Sequence, residues 1–340
     1  MGETMRAAVV HAFGEPLTID RLPVPEPGPG EVVVRLAATG VCHTDLHAVR
    51  GDWAVKPALP LVPGHEGTGH VAAIGAGVTG LSEGDSVGVP WLHDTCGQCE
   101  YCLTGWETLC PVQRNTGYSV NGTYADYVLA KAEFVGRLPA GADLEQIAPI
   151  LCAGVTTYKG LKETEARAGE WVAISGIGGL GHVAVQYAKA MGFTVAALDV
   201  DPVKLDLAAR LGADVTVDGR DRESVKQLVR QTGGMHGVLV TAASTAAFTQ
   251  AIGIVRRKGT VVLNGLPPGE FATPVMPVVL KRITLRGSIV GTREDLAEAL
   301  AFAADGKVRA EVCVEPLEAV NDVLQRMEQG AINGRVVLRL

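Results

Sequence analysis

The rhythm of apolar and polar positions changes near residue 150. Up to that point MRAAVVHAF, LTIDRLPVP, EVVVRLAATGV, GTGHVAAIG and DSVGVP are short apolar or alternating runs, separated by the turn-rich stretches PEPGPGE and KPALPLVPGHEG. Short runs bounded by Gly and Pro predict a β-rich body with long loops. From Glu170 the period lengthens. EWVAISG reads as a buried strand, GIGGLG as a turn and HVAVQYAKAMG as a helix, after which TVAALDV is again a strand. DPVKLDLAARLGA, RESVKQLVRQTG and TAAFTQAIGIVRRKG continue as helices, alternating with the strands DVTVD, GVLVTAAS, TVVLNG and ITLRGS. Such alternation predicts a parallel sheet with crossover helices, the α/β class. The tail, from REDLAEALAFAADGKV to NGRVVLRL, breaks the alternation and is expected to complete the first body. The expected division is therefore 1–152 with 287–340, around an inserted domain at 153–286.

Composition narrows the function classes. A chain of 340 residues exceeds what one core usually organises, so two domains are expected. Hydrophobic residues at 47% and charged residues at 20% can offset the entropy of ordering, which excludes a disordered chain. Thirty basic against 37 acidic side chains give a net charge of -7, the wrong sign for binding nucleic acid or an anionic membrane. No apolar run approaches the roughly 18 residues of a membrane span, and the amino terminus lacks the basic and apolar regions of an export signal. A cytoplasmic location is expected, where thiols bind metal rather than pair as disulfides. Glycine, at 42 positions or about 12% against a usual 7%, points to close backbone approaches.

The glycines concentrate where they have a use. Gly176-Ile-Gly178-Gly179-Leu180-Gly181 follows a strand and opens a helix. In that setting glycines permit a sharp turn, admit a pyrophosphate to the backbone, and let helix pack on strand, while amides at the helix start face the anion. Asp199 ends the next strand about 18 residues after Gly181, where a carboxylate accepts from an adenosine ribose and repels a 2′-phosphate. NAD is expected over NADP, with Lys204 near the same ribose, although glycines and an acid also occur in flavin enzymes.

Four of the seven cysteines, Cys96, Cys99, Cys102 and Cys110, share one loop. Four thiolates fill a tetrahedral zinc and leave no position for substrate, so this is a candidate structural site, with an iron-sulfur cluster as the rival. The others are dispersed. Cys42, His65 with Glu66, and Cys152 would form a Cys₂His set with one open position, but spacing alone does not join them, and Cys152 by itself reads as a small buried hydrophobe.

Together the segments CHTDLHAVRGDW, PGHEGTGHV, CGQCEYCLTGWETLCP, ILCAGVTTYKGLK and GIGGLGHVAVQYAKAMG carry a resemblance over essentially the whole length. The sequence resembles the zinc-dependent alcohol dehydrogenases of the medium-chain dehydrogenase/reductase superfamily, the compact tetrameric bacterial and yeast type. The resemblance implies a GroES-like β-rich catalytic domain with a Rossmann, doubly wound coenzyme domain. It implies a homotetramer with NAD and two zinc ions per chain, one catalytic and one structural, that oxidises alcohols reversibly to aldehydes or ketones. Cys42, His65 and Cys152 would be the catalytic zinc ligands, with Glu66 a transient one and Asp45 accepting from the His65 ring. Thr44 and His47 would form a proton relay, and His43 and Arg335 would contact the cofactor phosphates. Trp53 and Trp91 would line a pocket for short alcohols. A formaldehyde or polyol dehydrogenase of the same superfamily, and a non-catalytic zinc and NAD sensor, remain the alternatives at this point.

Overall fold

A computed structural model of the chain describes residues 2–340. It divides into two compact units. One runs up to Cys152 and takes in Thr292–Ala304 and Ala310–Leu340; the other comprises Ala153–Gly291 with Asp305–Arg309. The chain re-enters the first unit at Thr292 rather than 287, because Thr284–Gly287 still pairs as a strand with the second unit's sheet.

The first unit is built on a seven-stranded sheet. Its spine runs Val312–Pro316, Arg335–Arg339, Glu31–Val41, Gly67–Ile74, Ser86–Val89, Gly136–Arg137, with Tyr127–Lys131 also paired to Glu31–Val41. The long strand EVVVRLAATGV is rich in β-branched residues, which fit a pleated and largely buried surface. Val32, Val34, Val71, Val87 and Val128 form one core beneath it. A second core gathers Val9, Val10, Val41, Leu46 and Tyr124 with Leu317, Val323 and Leu338 of the tail. The carboxyl-terminal strand Arg335–Arg339 pairs antiparallel with Glu31–Val41, so the tail completes this unit. Glu107, buried in the cysteine loop, accepts from the backbone N–H of Arg293 at 2.7 Å and from its guanidinium at 2.9 Å, holding the first turn of the helix Arg293–Ala304.

The second unit is a six-stranded, all-parallel sheet in the order Val215–Asp218, Thr194–Asp199, Trp171–Ser175, Met235–Val240, Val255–Leu263, Thr284–Gly287. This is the doubly wound Rossmann arrangement, with the order reversing beside Trp171–Ser175. Its helices start where the sequence offers caps. Asp201 accepts from Val203 N–H ahead of Pro202, and Asp221 accepts from Glu223 N–H. One expected helix is shortened: Thr245–Ile254 ends before VRRKG, because buried Val255 joins a strand opposite Met235 and leaves the basic residues outside. The sequence pattern does not foretell the helices Ala153–Glu163 and Val275–Lys281, nor His43–Arg50, which lies where the β-rich reading leaves a loop.

Candidate active site

Within the first unit the ligand atoms of Cys42, His65, Glu66 and Cys152 lie within 4.8 Å of one another, all four residues buried. Three separate elements deliver them. Cys42 follows the strand Glu31–Val41 and caps the helix His43–Arg50; His65 and Glu66 precede the strand Gly67–Ile74; Cys152 follows the 3₁₀ turn Ala148–Leu151. One carboxylate coordinates this convergence. Asp45, 1% exposed, accepts at Oδ2 from the Cys42 backbone N–H at 2.9 Å and the Tyr124 hydroxyl at 2.9 Å, while Oδ1 faces His65 Nδ1 at 2.7 Å. With Nδ1 committed to Asp45, the lone pair of the His65 ring falls on Nε2, and Nε2 is buried with no hydrogen-bond partner among the described residues.

The electrostatics ask for a cation. Cys42 and Cys152 share a hydrogen bond that draws the Cys42 thiol well below its usual range and pushes Cys152 well above, so the pair alone ionises only once. Burial opposes charge on His65, yet the Asp45 carboxylate raises it above the usual imidazole value. Burial also pushes the Glu66 carboxyl up to about 7, against the pull of Arg335. Two thiols, an orphaned imidazole nitrogen and a carboxylate with one unpartnered oxygen are the donor set of a zinc ion with room for another ligand.

Arg335 is buried, its Nη2 held by Glu66 Oε1 and, at 3.0 Å, by the Val41 carbonyl. Room for the Glu66 carboxylate exists only because residue 40 is glycine: a Cβ there would lie 1.9 Å from Oε2. Thr44 and His47 follow on the helix His43–Arg50, whose first residue, His43, is exposed. His47 Nδ1 pairs with Asp52 Oδ2 at 2.9 Å. Aromatic rings continue outward from His65. Trp91 meets it edge-on at 5.2 Å between centroids, Trp53 meets Trp91 at 6.4 Å, and Tyr118 lies 5.1 Å from Trp53.

The loop of Cys96, Cys99, Cys102 and Cys110 forms a second cluster in the same unit, its ligand atoms also within 4.8 Å of one another. Sulfur-to-sulfur distances of 3.5, 3.6 and 3.9 Å are too long for a disulfide. They match the edge, about 3.8 Å, of a tetrahedron drawn at the usual zinc-sulfur length. Backbone N–H groups of Gln98 and Cys99 lower Cys96 to about 6, while Cys99 is raised to about 11 against the help it receives from the Cys102 N–H. Cys96 and Cys99, hydrogen-bonded to neighbouring thiols, are thus held apart in ionisation.

In the second unit the glycine run turns between the strand Trp171–Ser175 and the helix Gly181–Ala190. Gly176 has φ +95, and a Cβ on Gly181 would lie 1.8 Å from the Gly176 carbonyl. Neither place admits a side chain. Gly178, by contrast, faces open space, with Gly179 and Leu180 leading into the helix. Asp199 ends Thr194–Asp199 and accepts from Ile177 N–H at 2.6 Å, Val200 N–H at 2.7 Å and Asp201 N–H at 3.0 Å, so its carboxylate is fixed beside the turn. Lys204 lies in the first turn of the next helix. An open backbone cradle, a helix start and a fixed carboxylate fit a dinucleotide.

Two tyrosines and a threonine had escaped the sequence reading. Tyr124, fully buried, reaches Asp45; Tyr118 joins the tryptophans; Thr241 donates to the Gly176 carbonyl at 2.6 Å and steadies the glycine turn. The available signal for Tyr124 was physical: a tyrosine in a β-rich core needs a partner for its hydroxyl.

Comparison with known proteins agrees with this geometry. Residues 28–140 match the alcohol dehydrogenase GroES-like domain, and residues 179–305 match the zinc-binding dehydrogenase family. An alcohol dehydrogenase of Rhizobium meliloti is 62% identical, with 99% of each chain covered. The chain belongs to the zinc-binding, medium-chain alcohol dehydrogenase family. Among solved structures, the alcohol dehydrogenase of the hyperthermophilic archaeon Aeropyrum pernix superposes with a TM-score of 0.89 at 38% identity, covering 98% of this chain and 100% of that one. An acetophenone reductase from Geotrichum candidum, solved in complex with NAD, gives 0.88 at 31% identity, covering 100% and 98%. The family is one of zinc-binding dehydrogenases with a GroES-like domain, in keeping with the β-rich first unit and the parallel sheet of the second.

Proposed function

We propose that Cys42, His65 and Cys152 hold the zinc at which this NAD-dependent alcohol dehydrogenase oxidises primary and secondary alcohols, reversibly, to aldehydes and ketones. Glu66 stands by as a transient ligand, and Cys96, Cys99, Cys102 and Cys110 hold a second, structural zinc. The observation that carries the reading is the buried, unpartnered Nε2 of His65 facing two thiols and a carboxylate. When bound, zinc supplies a Lewis acid that lets a hydroxyl ionise near neutral pH, and NAD supplies the hydride acceptor.

The protein's own residues do the rest. Asp45 fixes the His65 ring so that its lone pair points to the metal position. Thr44 Oγ1 accepts the alcohol's proton as it gives up its own towards His47, which, steadied through Nδ1 by Asp52, hands a proton on to solvent. Trp53 and Trp91 narrow the space beside His65 and exclude water, favouring short alcohols. Asp199 accepts from the adenosine ribose and excludes a 2′-phosphate, with Gly176, Gly178, Gly179, Leu180 and Gly181 beneath the pyrophosphate and Lys204 near the ribose. His43 and Arg335 contact the phosphates.

A homotetramer in the cytoplasm completes the reading. A tetramer of dihedral symmetry needs two distinct self-complementary surfaces. Exposed Leu103, Trp106 and Val112 in the first unit, and Val275, Met276 and Val279 in the second, support two such surfaces. Free thiols at every cysteine accord with a reducing compartment. Among the described residues no helix is long and apolar enough to cross a membrane.

The test is Cys42→Ala. It should abolish turnover of ethanol, propanol and benzyl alcohol, followed as NADH absorbance, and remove one of two zinc ions per chain while the fold persists. Full activity in the variant would overturn the reading, and turnover confined to sorbitol in the native protein would move it to a polyol dehydrogenase.

A further inference from the structure

The segment after the helix His43–Arg50, residues 52–58, is exposed except at Trp53 and Pro57, and its backbone pairs with no strand. It is nevertheless tied down at three points. Asp52 pairs with His47, the Lys56 ammonium sits 5.3 Å from the centre of the Phe13 ring, and between them the Tyr118 hydroxyl donates to the Val55 carbonyl. Tyr118 is buried, 8% exposed, although its partner residue Val55 is 79% exposed. A buried side chain thus reaches out to hold an outer segment. The same tyrosine ring packs 5.1 Å from Trp53 and 5.9 Å from Trp91, and Trp53 in turn lies 5.7 Å from His47.

Trp53 is carried by this strap, and among the described residues its indole N–H has no hydrogen-bond partner, so its position depends on what holds the backbone on either side. Removing the Tyr118 hydroxyl frees that backbone at Val55 while leaving the aromatic wall in place. We propose that Tyr118 is a positioning residue for substrate size: by holding the 52–58 strap through the Val55 carbonyl, it keeps Trp53 wedged between Trp91 and His47 and so closes the site to bulky alcohols. This rests on the reading of His65 and its neighbours as the alcohol site. It predicts selectivity rather than chemistry, since the hydroxyl itself meets the Val55 carbonyl and not the zinc ligands.

The experiment compares native protein, Tyr118→Phe, Trp53→Ala and the double variant, each loaded with zinc and assayed with NAD on ethanol and on a branched or aromatic alcohol. One neutral hydrogen bond is worth up to about a tenfold change in binding. Tyr118→Phe should therefore raise KM for ethanol several-fold with a smaller change in kcat. It should also shift the bulky-to-ethanol ratio of kcat/KM up to about tenfold towards the bulky alcohol. Amide hydrogen exchange over 52–58 should quicken in Tyr118→Phe, at unchanged zinc content. Because Tyr118 acts through Trp53, adding Tyr118→Phe to Trp53→Ala should change selectivity little further. An unchanged ratio, unchanged exchange, or additive effects in the double variant would overturn the proposal while ethanol turnover in the native protein left the alcohol site standing. No alcohol turnover in the native protein would instead remove the reading on which it rests.

Discussion

Asp45→Asn probes the centre of the site, because one oxygen-to-nitrogen exchange has no neutral arrangement there. The native carboxylate accepts three times: from the Cys42 N–H and the Tyr124 hydroxyl at Oδ2, and from His65 Nδ1 at Oδ1. An asparagine amide has a single oxygen to serve both sides. If that oxygen faces His65, the NH₂ faces the Cys42 N–H; Tyr124 can turn its hydroxyl to accept, but the Cys42 amide becomes a buried donor without an acceptor, a cost of roughly 1–3 kcal/mol. If the oxygen faces Cys42, the NH₂ confronts His65 Nδ1, which must give its proton to Nε2 and so surrender the lone pair aimed at the metal. Loss of the charge-assisted bond costs roughly 1.5–3 kcal/mol. Either arrangement weakens zinc at Cys42, His65 and Cys152 by roughly 10–100-fold. Dialysis against chelator-buffered zinc, followed by metal analysis, reads this directly. The four-cysteine loop in the same unit serves as internal reference, so one zinc per chain should be lost at a free concentration where the other stays. Equal retention of both in Asp45→Asn would refute the argument that this carboxylate sets the His65 tautomer.

Asp199→Ala removes the carboxylate fixed by Ile177, Val200 and Asp201 N–H groups, and should raise kcat/KM with NADP relative to NAD; an unchanged cofactor ratio would show the ribose contact lies elsewhere. His47→Gln should slow alcohol oxidation and be partly rescued by a small external base, whereas a native rate without added base would remove His47 from the proton path. Gly40→Ala forces a methyl to within 1.9 Å of Glu66 Oε2 unless the strand or the Arg335 pair moves; a loss of roughly 1–3 kcal/mol is expected, read as a lower thermal midpoint, and a native midpoint would mean the strand yields freely.

The architecture was legible wherever periodicity and punctuation agreed. The run EVVVRLAATGV and its observed strand Glu31–Val41 coincide because β-branched residues and turn-forming flanks point the same way. TAAFTQAIGIVRRKG misled because an apolar helix pattern ran without punctuation into Val255, whose burial opposite Met235 is a tertiary choice invisible to a local window. At the site, the residue types and the family resemblance pointed to the candidate donors and to Asp45 beside His65, but not to what holds Asp45 in turn. Nothing in the spacing of Asp45 and Tyr124 announces that they share a hydrogen bond, since they stand 79 positions apart with four strands and two short helical segments between them. Tyr118 was silent for a similar reason: its hydroxyl bonds a backbone carbonyl, and a carbonyl leaves no signature in sequence.

The two thiol clusters differ in how far apart their members stand along the chain, and this gives them different histories during synthesis. Cys96, Cys99, Cys102 and Cys110 come from one loop, so every member is present as soon as Cys110 leaves the ribosome, and closing so short a loop demands little. The other cluster must wait for Cys152, and its Glu66 is backed by Arg335, 269 positions further along the chain. A nascent chain can thus assemble one thiol cluster early, as a local clasp, while the surroundings of the other are complete only once the strand Arg335–Arg339 has paired with Glu31–Val41.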